Sequence, residues 1–439
     1  MEPTLTFFTA EVAAALPGPA WLRDVRQAAF ERFRDAEQPT EAEEVWRYSR
    51  IDDLDLDRFR PSLPPSTPAN ERAASALQAT PAADWLEGMG ARAGLVVVRD
   101  GVVVASELSD AAHRQGVLAG SGLQTPSAPD LVGAAPAPDA FVELAGAFLP
   151  DVAAIVVPPR VVVDEPILVV HLVGSGDEQA DADGRSTASF PRTVVRVGRS
   201  AEASVVEVAV SGEGTILTVP TVELDVSDDA RLSYVGIQAL GRSAWHLGYQ
   251  QSRVGRDGHL VSFSMALGGS YARLRTDSLL AGTGGTSNLL AAYFGDGEQM
   301  HDFRTMQDHE AAKTTSDLLF KGAVAGEARS VYSGLIRVRR GAAGTNAFQT
   351  NRNLVLSEGA WAHSVPNLDI AENDVRCSHA SAVGPIDPDQ RYYLESRGIP
   401  KEVADRLVVL GFFNDILERA PVPGVRAGLR RALADRVSP

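Results

Sequence analysis

The chain reads as a mainly β protein: a parallel β-helix core flanked by N-terminal and C-terminal α-helical parts. Three observations point there. First, strand patterns dominate from about Val152, as in I-V-V-P-P-R-V-V-V-D-E-P-I-L-V-V-H-L-V, T-V-V-R-V-G and S-V-V-E-V-A-V. Second, a local phrase recurs, in which a small or acidic turn leads through a small residue into an alternating strand. It falls at Ala203, Ala230, His259, Thr286, Ala328 and Ala360, in steps of 27, 29, 27, 42 and 32 residues. Third, the segments before about Arg60 and after Asp387 carry apolar residues at helical spacing instead. Strand units repeating roughly every 30 residues cannot bury their apolar faces alone, and stacking solves that. A β-sandwich with coincidentally spaced hairpins is the other arrangement the pattern allows.

Each segment follows from its own residues. Glu11 to Leu16 and Ala20 to Phe33 have helical periodicity, broken by Pro17 to Pro19, and Glu41 to Leu54 continues the helical region. Pro61 to Pro68 is a Pro/Ser linker, and Ala69 to Leu86 is Ala-rich with weak helical character. Leu95 to Ala105 predicts two short strands around Asp100-Gly101, and Leu108 to Phe148 returns to mixed helix and loop. Gly174 to Ser189 is a polar insertion expected as a loop. After Asp387, Pro388 opens a short helix closed by Gly398. Pro400 opens a longer helix with an apolar stripe, and Val425 to Val437 forms a last, Arg-rich helix. The expected units are therefore 1–94 (helical, with a Pro-rich linker), 95–151 (mixed α/β transition), 152–386 (β-helix core) and 387–439 (helical).

Composition narrows the function. Of the 439 residues, 41 are Lys or Arg and 57 are Asp or Glu, a net charge of −16, which argues against nucleic acid as the main partner. One cysteine excludes an internal disulfide, and it excludes a Cys-only zinc or iron–sulfur cage built from this chain alone. The first residues lack a basic stretch followed by an apolar core, and no run of about 18 apolar residues occurs. Neither a signal peptide nor a membrane span is expected, and the expected compartment is the cytoplasm. No G-x-x-x-x-G-K-[ST], no G-x-G-x-x-G opening a helix, no G-x-S-x-G elbow and no H-E-x-x-H is present.

The distinctive feature is the lone Cys377 with His379 two residues on, at the junction of the β body and the helical tail. Residues two apart on a strand share a face, so a thiolate and an imidazole could co-ligate a soft metal. Two ligands do not complete a site, so if metal or cluster chemistry happens here a second chain must supply the rest. The plainer alternative is a buried structural thiol beside a satisfied histidine. His363 lies on the preceding strand, within lateral reach of Cys377 if the register allows. His301 and His309 flank D-F-R-T-M-Q-D with Asp302 and Asp308, on a strand expected to face solvent or a partner. In the tail, Val403, Leu407, Leu410, Phe413 or Phe412, and Leu417 form the stripe, with Tyr393 and Leu394 on the helix before it. Such a face is either a tertiary contact or a docking surface.

Several motifs together resemble the SufB/SufD family of SUF iron–sulfur cluster assembly scaffold proteins. They are Q-T-N-R-N-L-V-L-S (Gln349 to Ser357), D-V-R-C-S-H-A (Asp374 to Ala380) and Y-Y-L-E-S-R-G-I (Tyr392 to Ile399). H-D-F-R-T-M-Q-D-H (His301 to His309), K-T-T-S-D (Lys313 to Asp317), V-Y-S-G-L-I-R-V (Val331 to Val338) and E-E-V-W-R-Y-S (Glu43 to Ser49) fit as well. Where SufB has the cysteine proposed to hold a nascent cluster, this chain has Ala360, and it keeps Cys-Ser-His at 377 to 379, so it resembles the SufD branch. Ala380 stands where the family usually has Gly, a change of little consequence on an ordinary strand.

The resemblance implies a right-handed β-helix and a non-enzymatic scaffold. It also implies a complex with a SufB-like homologue at the end of the β-helix and two copies of the ATPase SufC. SufC would dock on the C-terminal helical part, and its ATP hydrolysis would strain the SufB–SufD contact. His379, and less directly Cys377, would share a transient cluster or iron with SufB, and a homodimer would form in isolation. Flavin is associated with the family's complex, but no motif here identifies a flavin site. The reading from another class is a stand-alone β-helix module or enzyme acting on a polymer, with Asp302, Asp308 and His309 as its acid–base face.

Overall fold

Two parallel sheets face one another as the walls of a solenoid of about seven coils. In this computed structural model the described residues are 6–62, 88–125, 128–131, 137–174 and 185–437, with Ala82 and Trp85. Each coil lays one strand on each wall. The front wall runs from Trp361–Ile370 through Arg329–Val338, Met300–His309, Tyr271–Leu280 and Ala244–Val254 to the earlier strands. The back wall runs from Val375–Gly384 through Thr345–Val355, Thr315–Val324, Thr286–Gly295, His259–Ala266 and Arg231–Ala239 to Glu202–Ser211 and beyond. At its N-terminal edge, Gly94–Arg99 and Val102–Leu108 form the expected hairpin around Asp100-Gly101, with Asp100 and Gly101 both at positive φ.

The uneven repeat in the sequence has a structural cause. On the back wall, Glu202, Arg231, His259, Thr286, Thr315, Asn346 and Arg376 stand in one ladder. On the front wall, Trp245, Tyr271, Met300, Arg329 and Trp361 do the same. Ala203, Ala230, His259 and Thr286 open back-wall strands, whereas Ala328 and Ala360 open front-wall strands. The step of 42 residues is thus a change of wall. The stacked walls exclude the sandwich of hairpins, because nearly every pairing along them is parallel.

Strand alternation gives each wall an inner and an outer face, and both are covered. Facing out from the front wall, Leu247, Tyr271, Met300 and Val331 pack against Phe8, Phe33, Trp46, Phe141 and Phe148 of the N-terminal part. Facing out from the back wall, Val206, Val208, Val235, Ile237, Phe263, Leu290 and Phe294 pack against Val409, Phe413, Ile416, Leu417, Leu429 and Leu433 of the tail helices. Those helices span Pro388–Ser396, Lys401–Glu418 and Arg426–Arg436. Asp387 caps the first by accepting from the Asp389 N–H.

Some expectations shift. Helices form at Ala10–Ala15 and Ala20–Asp35. The stretch after them folds into 3-10 turns at Glu44–Trp46 and Ile51–Asp53 rather than a helix, with Tyr48 at a φ of 63° breaking the run. Of the polar insertion, Ser186–Ser189 is a strand pairing with Phe59–Pro61 and Ile216–Thr218. Residues 175–184 and most of the expected linker and Ala-rich helix (63–81 and neighbours) lie outside the described residues. Among the described residues, no helix is long and apolar enough to cross a membrane.

Candidate cluster-interface site

Both walls stop abruptly at the C-terminal end of the solenoid. Among the described residues, Val375–Gly384 and Trp361–Ile370 are terminal strands, each laddered on one side only. The outer edge of each keeps main-chain donors and acceptors free for another chain. Phe348, Val365, Leu368, Ile370 and Val383 are exposed around this end.

Cys377 and His379 lie on the terminal back-wall strand, directly over Ala347 and Gln349 in the ladder. Ala347 is fully buried with Ile336, Val338 and Ala342, and Cys377 packs on that cluster, which fixes its side as the inner one. Two residues further, His379 shares that side and is exposed at the open end. Cys377 is half-buried and free. Burial pushes its thiol up, against a weaker opposing pull from the backbone at Ala347. Beneath His379, Gln349 is buried, and neither its amide nitrogen nor its amide oxygen has a hydrogen-bond partner among the described residues. Ala380 sits in regular strand, with no positive φ that would call for glycine.

The other histidines part from this pair. His363 is on the opposite wall and faces outward, laddered over Val331. Its ring stacks on Tyr48, with centroids 4.5 Å apart and planes 16° from parallel, and meets Trp361 edge-on at 5.3 Å. The expected lateral approach to Cys377 therefore fails, because odd-numbered residues face out on this strand and in on its neighbour.

His301 and His309 face neither solvent nor a partner. Both are enclosed in the bore, because their strand has a wall across from it and the N-terminal part behind it. His301 bonds the Phe294 carbonyl at 3.1 Å, and His309 bonds the hydroxyls of Thr314 and Ser316 at 2.7 and 2.9 Å. Burial lowers each to about 4, so both are neutral imidazoles near pH 7. Asp308 is gripped by Arg339 at 2.7 and 2.9 Å, and Asp302 lies fully buried between Arg273 and Arg304. These groups are held in internal pairs, not along an accessible groove, so they form no acid–base face for a polymer.

On the tail, the expected apolar stripe divides. Phe413 and Leu417 are buried against the back wall, and Leu410 is half-buried. They point inward because the helix turns the Val409–Phe413–Ile416 side to the wall. Val403 and Leu407 remain 46% exposed, and with Tyr393 and Leu394 they give an outer apolar face. Tyr393, Leu394, Leu407 and Val408 line a shallow groove there with Asp389 and Gln390. Lys321, almost fully buried on the back wall, clamps the long helix by donating to the Phe412 carbonyl at 2.8 Å and to Asp415. Nothing in the sequence marks Lys321 as that clamp, since its partners are over 90 residues away.

A second feature escaped the sequence. The Arg273 and Arg304 guanidiniums donate to the Val45 and Arg47 carbonyls at 3.1 and 2.7 Å while holding Asp302 between them. Arg273 also lies 3.7 Å over the Trp46 ring. The E-E-V-W-R-Y-S and H-D-F-R motifs are thus two halves of one lock.

Comparison with known proteins agrees with this architecture. Residues 179–412, just over half of the chain, match the model of the SufBD core domain of SUF system FeS cluster assembly. The chain belongs to the SufBD family. An iron–sulfur cluster assembly SufBD family protein of Mycobacterium tuberculosis is 39% identical over 258 residues, covering 57% of this chain and 64% of that protein. SufD of Bacillus subtilis is 30% identical over 288 residues, covering 64% and 63%. SufD of Escherichia coli is 28% identical over 275 residues, covering 62% and 64%. The chain thus matches a little under two thirds of the length of these SufBD relatives.

The SufBD match relates this solenoid to iron–sulfur cluster assembly. At the open end stand the Cys377 thiol and the His379 imidazole. Among the described residues, no three His, Cys, Asp or Glu side chains stand close enough to hold a metal ion.

Proposed function

We propose that this chain is a SufD-like scaffold subunit of a SufB–SufC–SufD complex, with no catalytic activity of its own. The observation that carries this reading is the open solenoid end. Among the described residues, two unpaired wall edges surround one inward-facing thiol and imidazole, two donors short of a tetrahedral site. A SufB-like chain docked on that end supplies the missing donors, and iron or a nascent cluster is held between the chains.

The outer face of the tail helices, Tyr393, Leu394, Val403 and Leu407 with Leu410 at its margin, is the docking surface for the SufC-like ATPase. A push on that face reaches the back wall through the Lys321 clamp, and the back wall ends in the Cys377 strand. The assembly works in the cytoplasm. His363, behind its wall, takes no part in ligation, and His301 and His309 are structural.

The test is anaerobic reconstitution of the tagged chain with its co-purifying partners, iron and sulfide. His379→Ala is expected to lose most cluster formation while keeping the complex intact, and Cys377→Ser to lose less. Unchanged assembly in His379→Ala removes the imidazole from the site. Absence of an ATPase and of a cysteine-rich homologue from the native complex removes the scaffold reading itself.

A further inference from the structure

One strand below the rim, a polar side chain is held in a costly way. Gln349 lies on the next-to-last back-wall strand, in the ladder position between Leu318 and His379. It is 1% exposed, so water outside the protein does not reach it. Among the described residues, neither its Nε2 nor its Oε1 has a hydrogen-bond partner. An amide buried with both ends unmet is destabilising, and a methionine of similar length would avoid that cost. The amide has its room because position 334 on the front wall is glycine. A Cβ there would stand 2.7 Å from both amide atoms and 2.2 Å from the Tyr332 hydroxyl. That hydroxyl bonds Thr305 at 3.1 Å instead.

The neighbour with the matching need is His379. Strands in the ladder stand about 4.8 Å apart, and His379 shares the inner side of the wall with Gln349. Its ring is exposed, and no described residue bonds it. A histidine that ligates a metal gives one ring nitrogen to the ion and donates its proton from the other. The acceptor of that proton fixes both the tautomer and the orientation of the ring. A glutamine suits the task, because its oxygen accepts without adding a charge to the site. Gln307 provides the contrast. It too is fully buried with both amide atoms unmet, but its neighbour in the ladder toward the rim is Ile336.

We propose that Gln349 is the positioning residue for the His379 imidazole. When the ring turns to the wall, Oε1 of Gln349 accepts the proton on Nδ1, and the Nε2 lone pair is left facing the open end. The unmet amide is thus a held acceptor, kept at a cost in stability for the sake of the site. This inference rests on the reading of His379 as a ligand for its use, but the contact itself belongs to the chain alone, before any iron or partner arrives.

The experiment measures long-range ¹H–¹⁵N NMR spectra of the metal-free full chain labelled with ¹⁵N-histidine, at about pH 8, where an exposed imidazole is neutral. His379→Ala identifies the His379 signals. In the parent, His379 is expected to carry its proton mainly on Nδ1, and Gln349→Met should shift the balance toward Nε2. Gln307→Met should leave it as in the parent. Gln349→Met should also melt no lower than the parent, since it removes an unmet buried amide, while cluster yield in the reconstituted complex falls about tenfold or more. A tautomer balance unchanged in Gln349→Met, or moved as far by Gln307→Met, would overturn the proposal. So would a melting temperature lowered in Gln349→Met, which would make the amide part of the packing. If the tautomer shifts as expected but His379→Ala assembles clusters normally, the contact stands and the reading of His379 as a ligand falls instead.

Discussion

Tyr48 lies flat on His363, joining the N-terminal segment to the last strand of the front wall, 315 positions away in the chain. The contact is the far end of a strap whose near end is the Arg273–Asp302–Arg304 lock over Val45, Trp46 and Arg47. An aromatic pair of this kind contributes about 0.5–1.5 kcal/mol. Tyr48→Ala is therefore expected to cost about 1 kcal/mol in denaturant unfolding. It should also raise amide exchange in residues 44–50 well before the solenoid exchanges.

Removing the other anchor should be far harsher. Burial alone would raise the Asp302 carboxyl, yet Arg273 and Arg304 hold it below the usual carboxylate range. Asp302→Ala leaves two nearly buried guanidiniums facing each other, a loss of about 3–5 kcal/mol by the measure of broken buried pairs. The expected signature is a lower urea midpoint together with proteolytic release of the N-terminal segment.

Acid should weaken the protein through the bore. In the unfolded chain His301 and His309 titrate near 6.5, and in the fold near 4. Between those values the unfolded state binds more protons, so stability is full above about pH 6.5 and falls as pH drops toward 4. Each histidine contributes a slope of up to about 1.4 kcal/mol per pH unit. Around His301 stand Asp296, Arg436 and His246, and around His309 stands Asp308, so the slopes are read by difference. His309→Gln should flatten the profile of unfolding free energy between pH 6 and pH 4.5; an unchanged profile would mean that His309 is already charged in the fold.

The two sides of the long tail helix should behave oppositely. Phe413→Ala opens a hole against the back wall and is expected to cost about 3–5 kcal/mol. Leu407→Asp, on the exposed side, should leave the melting temperature within a few degrees while abolishing co-purification of the ATPase. Retained co-purification would locate the docking face elsewhere.

Lys321→Met keeps the volume of the clamp and removes its two hydrogen bonds. A loss of about 1.5–3 kcal/mol is expected. ATP hydrolysis by the reconstituted complex should persist while cluster yield falls, since the tail can no longer pull on the wall. Equal loss of both would make Lys321 purely structural.

Much of the architecture was legible because stacking imposes a period on the residues themselves. Ala203, Ala230, His259 and Thr286 announce successive coils, and Pro388, Gly398 and Pro400 bracket the tail helices. What was not legible depends on which way a side chain points. On neighbouring strands His363 faces out and Cys377 faces in, and only the register decides that. His301 and His309 read as surface polar groups because a bore lined with hydroxyls looks, in sequence, like an exposed strand. The apolar stripe of the tail was visible as a whole, but its division into Phe413 and Leu417 inside and Val403 and Leu407 outside rests on the tilt of the helix against the wall.

An unfinished coil reads backbone geometry before it reads side chains. Any chain of matching pitch can add to it, including a second copy of itself turned by half a revolution, whose edges would meet these in antiparallel sense. Faithful pairing with a different protein must therefore come from penalties against the self-match, carried by the few groups that project past the rim. Swapping those rim groups between related chains should reassign who pairs with whom while leaving both rods intact.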